Sequence, residues 1–166
     1  MSASIRVATS PGEAQVAVVD GERLVDYALW RPGAPDGVGD LHRGRIVAHV
    51  PAMAGAFVAL ADAEGFLPDS EGAKGLTAGT ILTVRITRAA QGANGPRLSA
   101  RVDEAVNSGP ARLIRRGPDP VVRLAARYGG APIVVDDAGV AASLSAGASV
   151  AAPVFTEDIA AAIEAL

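Results

Sequence analysis

The chain up to Trp30 alternates between apolar and polar side chains with a period of two, which is typical of half-buried β-strands. The segments that carry this pattern are SIRVA, AQVAVVD and RLVDYALW. Asp20 and Gly21 separate the second segment from the third, and an Asp-Gly pair favours a tight hairpin turn. The pattern therefore predicts three consecutive antiparallel strands.

A second set of short period-two segments follows residues 31–40, whose glycines and prolines interrupt any periodicity. These segments are GRIVAHV, AFVAL, GFLP, TILTVRITR and RLSARV. Five short strands joined by turn-rich loops predict a small β-barrel. Because successive side chains of a strand point to opposite faces, we expect arginines to collect on the outside of this barrel. The arginines placed there are Arg43, Arg45, Arg85, Arg97 and Arg101.

Beyond residue 106 the pattern changes to alternating helices and strands. The predicted elements are a helix in PDPVVRLAARY, a strand in APIVVD, a short helix in DAGVAASL, a weaker strand in ASVAAPV and a helix in TEDIAAAIEAL. Asp119 and Thr156 are suitable N-caps, and Pro120 suits a first helical position because its missing N–H costs nothing there. Three antiparallel strands followed by helix, strand, helix, strand and helix is the order of RNase H-like folds.

The amino-acid composition excludes several classes of protein and of metal site. Apolar residues make up 49% of the chain and aromatics only 4%, and cysteine is lacking altogether. A chain without cysteine has no disulfide framework and no thiolate metal site, and His42 and His49 are too few for a typical structural zinc site. The start has no secretory signal, and the uncharged residues 138–156 hold too few large apolar side chains to span a bilayer. We therefore predict a cytoplasmic protein without a membrane partner.

The net charge of −3 is unevenly distributed. Arginines dominate residues 81–127, whereas residues 128–166 carry acids and no base. One region therefore suits a polyanion that the other repels. A solvated surface of uneven charge is the alternative, and charge alone does not decide between the two.

Several segments, taken in order, resemble known RNA-processing proteins. The barrel segments HRGRIV, GAFV, GFLP and GANGPRLSAR resemble the S-one type of OB-fold found in RNA-binding proteins. The flanking segments VVDGERLVDY, PIVVDDAGVAASL and PVFTEDIAAAIEAL resemble the RNase E/G family of bacterial endoribonucleases. The resemblance implies an α+β chain in which residues 1–35 and 107–166 form an RNase H-like mixed sheet with helices. A five-stranded OB-fold β-barrel in residues 36–106 would interrupt that sheet.

The resemblance also implies an RNA-binding site. In that family the barrel binds single-stranded RNA through aromatic residues at the positions of Phe57 and Phe66 and through a lysine in the loop that matches GANG. Asn94 takes the place of that lysine here, and Arg97 is the candidate for an electrostatic substitute. The full set of candidate RNA-binding residues is Phe57, Phe66, Arg43, Arg45, His42, Arg97, Asn94 and Arg85. The alternative is that both rings pack into the barrel or onto the flanking domain.

The resemblance places catalysis elsewhere. In that family magnesium is held by a DNase I-like subdomain that has no counterpart in this sequence, so we expect no cofactor and no catalytic residue in this chain. An RNase H-like site would itself need clustered carboxylates. Asp136 and Asp137 are the only candidate pair, and a helix cap also explains Asp137. For His42 and His49, phosphate contact or simple exposure fits better than general-base chemistry.

These observations favour one function and leave two alternatives. The favoured function is single-stranded RNA binding, as the substrate-holding portion of an RNase E/G-like endoribonuclease that is inactive alone. One alternative is a split ribonuclease completed by a separate catalytic chain, and assembly with further copies of this chain is also open. The other is a protein-interaction or structural remnant that does not bind RNA.

Overall fold

The computed structural model describes residues 2–104 and 107–166 of the protein. It divides the chain into two compact units, an outer unit formed by Met1–Pro35 and Pro118–Leu166 and a barrel unit formed by Asp36–Gly117. The barrel unit thus extends past residue 106, the boundary expected from the sequence. The architecture is mixed α+β, with much sheet and few helices.

Eleven strands and three helices are described. The strands are β1 (Ala3–Ser10), β2 (Glu13–Asp20), β3 (Arg23–Trp30), β4 (Leu41–Val50), β5 (Gly55–Ala59), β6 (Glu64–Pro68), β7 (Ile81–Arg88), β8 (Arg97–Ser99), β9 (Arg112–Arg115), β10 (Ile133–Val135) and β11 (Ser149–Val150). The helices are α1 (Pro120–Arg127), α2 (Ala138–Ser143) and α3 (Glu157–Glu164). Within the described residues, no helix is long and apolar enough to cross a bilayer.

The outer unit is built on a five-stranded mixed sheet in the order β11-β10-β1-β2-β3. Strands β1, β2 and β3 are antiparallel neighbours, as the alternation predicts, whereas β10 runs parallel to β1 with Ile5 opposite Ile133. One sheet face packs against α1 and α2, and the other packs Ala17 and Val19 against Ile159 of α3. Helices therefore cover both faces of the sheet.

Helices of the outer unit begin after residues whose side chains cap the first backbone N–H groups. Asp119 accepts a hydrogen bond from the Val122 N–H at 3.0 Å, and Thr156 accepts one from the Ile159 N–H at 3.4 Å. Both caps are those predicted, because an N-terminal N–H has no partner within its helix. Of the predicted C-terminal strands, the weaker one forms only the two residues of β11.

The barrel unit holds a closed five-stranded barrel. Around the barrel β4 pairs with β5, β5 with β6, β6 with β8, β8 with β7, and β7 with β4. The side chains that fill it are buried and mostly small or β-branched, in agreement with the composition. They are Ile46, Ala56, Val58, Leu60, Leu67, Ala73, Leu82, Val84, Ile86 and Leu98.

Two features of the barrel unit differ from the sequence prediction. Strand β8 ends at Ser99 rather than continuing to Val102, because the Ser99 hydroxyl accepts a hydrogen bond from the Arg101 N–H at 3.1 Å and turns the backbone. Strand β9, which was not predicted, pairs with the edge of β4 opposite to β7. Its four residues are too few for an alternation of apolar and polar side chains to be recognised in the sequence.

Candidate nucleic-acid interface

Four paired residues form a line across four neighbouring strands of the barrel. Phe57 lies opposite Phe66, Phe66 opposite Arg97, and Arg97 opposite Arg88. Residues directly opposite one another share a face of the sheet. The adjacent residues Val58, Leu67 and Leu98 are buried in the barrel, so the line faces outward. We call Phe57, Phe66, Arg97 and Arg88 the aromatic–arginine row.

The two phenylalanine rings of the row lie outside the barrel core and are half-buried. Their centroids are 5.7 Å apart and their planes are inclined by 65°, an edge-to-face arrangement. The Phe66 ring covers Gly55, where an added Cβ would overlap the ring atom Cζ. Glycine at this position lets the ring lie against β5. The rings are therefore held in place by the fold and remain partly open to solvent.

An open groove of about 720 Å³ runs beside the row. One wall is the loop before β8, in which Gln91 and Asn94 exchange two backbone hydrogen bonds of 3.0 Å. Gly95 anchors this loop, because its Cα lies so near the Glu64 carbonyl that no side chain would fit. Asn94 is exposed on the groove wall. The fold thus brings the predicted residues Asn94, Phe57, Phe66 and Arg97 to one concave surface.

The guanidinium groups of the row have no acid partner among the residues that the structure describes. Arg88 and Arg97 are both exposed, and neither guanidinium group makes an ion pair or hydrogen bond with another residue in the part of the chain that the structure describes. Other arginines of the barrel unit do have acid partners. The pairs are Arg101 with Glu71, Arg115 with Glu104, and Arg116 with Asp40. The row therefore combines two aromatic rings with two guanidinium groups that the acids of the described residues leave unpaired.

Two further predicted arginines lie near the row without joining it. Arg45 is exposed on β4 and lies opposite Ala59, two residues along β5 from Phe57. Arg85 is half-buried on β7 and lies opposite Ser99, two residues along β8 from Arg97. Both side chains are on the outer face of the barrel, within reach of a ligand that extends beyond the row.

Arg43 was predicted to be exposed on the outer face of the barrel, but it is buried. Only 7% of the residue is exposed, and its Nε donates a hydrogen bond to the Pro110 carbonyl at 2.7 Å. The guanidinium also lies against Gly109, where an added Cβ would be 2.9 Å from it. Alternation places Arg43 on the outer face, but the segment leading into β9 covers that face. Arg43 therefore anchors this segment and is not available to a ligand.

His42 is also less accessible than predicted. The side chain is half-buried, and its Nδ1 is buried without a hydrogen-bond partner among the described residues. Burial lowers the pKa of His42 below its ordinary value of 6.5; Arg116 adds to this effect, while Asp40 and Asp62 oppose it. A neutral imidazole at neutral pH gives no charge for phosphate binding.

The lowered pKa of His42 predicts a pH-dependent stability. Below pH 6.5 the unfolded chain binds a proton that the folded protein resists, so the free energy of unfolding should fall as the pH drops from 6.5 toward the folded-state pKa. A His42→Asn variant should show a flatter dependence in urea unfolding experiments across this range. Carboxylates titrate in both proteins and cancel in the difference. Parallel pH profiles for the two proteins would contradict the prediction.

The two carboxylates that were the only candidate pair for a metal, Asp136 and Asp137, have other partners. Asp136 accepts hydrogen bonds from the Thr9 N–H at 2.9 Å and the Thr9 hydroxyl at 2.7 Å, and Asp137 caps α2 through the Val140 N–H at 2.9 Å. Across residues 2–104 and 107–166, no group of three or more His, Cys, Asp or Glu side chains is placed to hold a metal ion.

Sequence reasoning missed Arg88. Simple alternation from Arg85 puts Thr87 outward and Arg88 inward. A register shift between Ile86 and Arg88 instead brings Arg88 opposite Arg97 on the outer face. Such a bulge depends on the pairing with β8 and leaves no periodic signal in β7 alone.

No model of a known protein family matches the chain, and no curated protein matches it either. Function is therefore inferred from the geometry of the barrel and from the sequence resemblance.

Proposed function

We propose that the barrel binds single-stranded RNA across the aromatic–arginine row. The observation that carries this proposal is the line of two outward rings followed by two arginines that pair with no acid within residues 2–104 and 107–166. Stacking on an aromatic side chain is worth about 1–3 kcal/mol per base and does not depend on sequence. Unpaired bases would stack on Phe57 and Phe66 while the arginines attract phosphates, whereas paired bases have no free face to offer.

A protein-interaction surface fits the row less well. Protein interfaces are also enriched in aromatic residues and arginine, but they place them in a desolvated, closely packed centre. Here the two half-buried rings border an open groove, and two exposed cations continue the same line. A flexible polyanion with flat bases matches both halves of this surface.

We further propose that the protein is related to the RNase E/G endoribonucleases, with an OB-fold barrel inserted in an RNase H-like outer unit. A closed five-stranded barrel is compatible with an OB-fold. The RNase H-like part of this proposal is supported by the sheet order β11-β10-β1-β2-β3 and by the three antiparallel strands that precede the helices and remaining strands in the chain. In this proposal the chain holds RNA for an endoribonuclease and does not supply the catalytic carboxylates.

The proposal is tested by titrating the protein into a fluorescently labelled oligouridylate and measuring anisotropy at several salt concentrations. We expect log K to fall linearly with log salt, by about 0.7 for each phosphate contacted, because bound phosphates release counterions. A duplex RNA of matched length is the control, since its bases are stacked already. Binding that is undetectable at low salt, indifferent to salt, or equal for the duplex would contradict the proposal.

A further inference from the structure

We propose that Arg88 and Arg97 hold one phosphodiester group of the bound strand between them, beside the base that stacks on Phe66. This inference rests on the proposed RNA binding and assigns a specific ligand group to one end of the row. It also adds Arg88 to the binding surface.

The two arginines form a like-charge pair. They lie directly opposite each other on the antiparallel strands β7 and β8, where neighbouring Cβ atoms are about 4.5–5.5 Å apart. Like charges at such positions destabilise a sheet unless an anion lies between them. No carboxylate within the described residues forms an ion pair with either guanidinium. A phosphate accepts hydrogen bonds from two guanidinium groups at once and would remove the repulsion.

The backbone places Arg88 at this position through a bulge. Ile86 is paired with Leu98 and faces the core, so regular alternation would turn Arg88 inward as well. The register shift after Ile86 turns Arg88 to the outside instead. The Thr87 hydroxyl donates a hydrogen bond to the Arg97 carbonyl at 3.2 Å and ties the two strands together at the bulge. Bulges that re-aim a side chain are frequent beside functional sites.

The position of Phe66 decides which phosphate is held. Arg97 lies opposite Phe66 on the adjacent strand, and neighbouring strands are about 4.8 Å apart. A phosphate bound by the arginine pair is therefore beside a base stacked on the Phe66 ring. This phosphate and this base can belong to the same nucleotide. The ligand group is one internal phosphodiester, and the strand would run across β6, β8 and β7.

The test compares Arg88→Gln, Arg97→Gln and the double variant with the wild-type protein in the oligouridylate titration. We expect each single variant to weaken binding at low salt and the double variant to flatten the salt dependence by about 0.7, the value for one phosphate. At high salt the double variant and the wild-type protein should converge, because stacking is retained. Arg112→Gln is the matched control, since Arg112 is exposed without an ion pair among the described residues and lies outside the row.

A second measurement separates binding from a structural role. Arg88→Gln removes the repulsion, so its thermal unfolding midpoint should not be lower than that of the wild-type protein. A lower midpoint together with weaker binding would indicate a structural role and overturn the inference. An unchanged salt dependence in the double variant, a flattening of about 1.4, or equal flattening in Arg112→Gln would overturn it too. In each of these cases binding that still depends on Phe66 would leave the proposed function standing, whereas a wild-type protein that binds no RNA would remove both.

Discussion

Replacing Phe66 with alanine is expected to weaken binding of single-stranded RNA by about 1–3 kcal/mol, or about 5- to 150-fold. Phe66 lies inside the row, with Phe57 on one side and Arg97 on the other. Its removal takes away a stacking face and also the edge-to-face partner of Phe57. Affinity would be measured by anisotropy with a labelled oligouridylate at moderate salt.

Two variants serve as controls for the Phe66 experiment. Phe66→Leu keeps an apolar side chain over Gly55 but has no π-face, so its affinity should resemble that of Phe66→Ala if stacking is the cause. Val47→Ala removes an apolar side chain that is 45% exposed on β4, outside the row, and should bind as the wild-type protein does. The stacking explanation fails if Phe66→Leu binds like the wild-type protein or if Val47→Ala loses as much affinity as Phe66→Ala.

Replacing Asp40 with alanine is expected to destabilise the barrel unit by about 2–3 kcal/mol. The side chain of Asp40 is only 6% exposed and accepts hydrogen bonds from the Gly117 N–H at 2.7 Å and from Arg116 Nη1 at 2.9 Å. Gly117 packs so closely on the backbone of Gly39 that an added Cβ would be 2.5 Å from it. Water therefore has little room to replace the lost carboxylate, and the Gly117 N–H would be left without an acceptor.

The Asp40 experiment needs a probe located in the barrel. Trp30, Tyr27 and Tyr128 all lie in the outer unit, so their fluorescence reports that unit. Amide hydrogen exchange of the β4 and β7 backbone follows the barrel directly. Arg116→Ala is the matched control: the Arg116 side chain is 62% exposed, so its loss should cost less than about 1 kcal/mol. Equal protection factors in the two variants would show that Asp40 acts only through the ion pair.

Much of the fold was predictable from the sequence because its signals are local. The alternation of β1 to β3 and of the barrel strands follows from side chains that point to opposite faces of one strand. The caps at Asp119 and Thr156 depend on backbone groups three residues away. The outward position of Phe57 and Phe66 likewise follows from the buried neighbours Val58 and Leu67.

The remaining features depend on segments that are distant in sequence. Arg43 is covered because its Nε bonds to Pro110, far along the chain, and no periodicity in β4 indicates that contact. Strand β9 needs the free edge of β4 and has too few residues to be recognised alone. Arg88 faces outward only because β7 slips in register against β8. Pairing rather than composition thus determines which arginines form the candidate site.

The parallel pairing of β1 with β10 joins segments that lie on either side of the barrel in the sequence. On the ribosome, β1, β2 and β3 emerge before the barrel, but Ile5 gains its partner Ile133 only after the whole barrel has been synthesised. The barrel residues are contiguous, so this unit can complete its own hydrogen bonds while the earlier strands still have an open edge. Of the two units, the outer one can therefore finish folding only after the barrel has been made, although its first three strands are synthesised before the barrel.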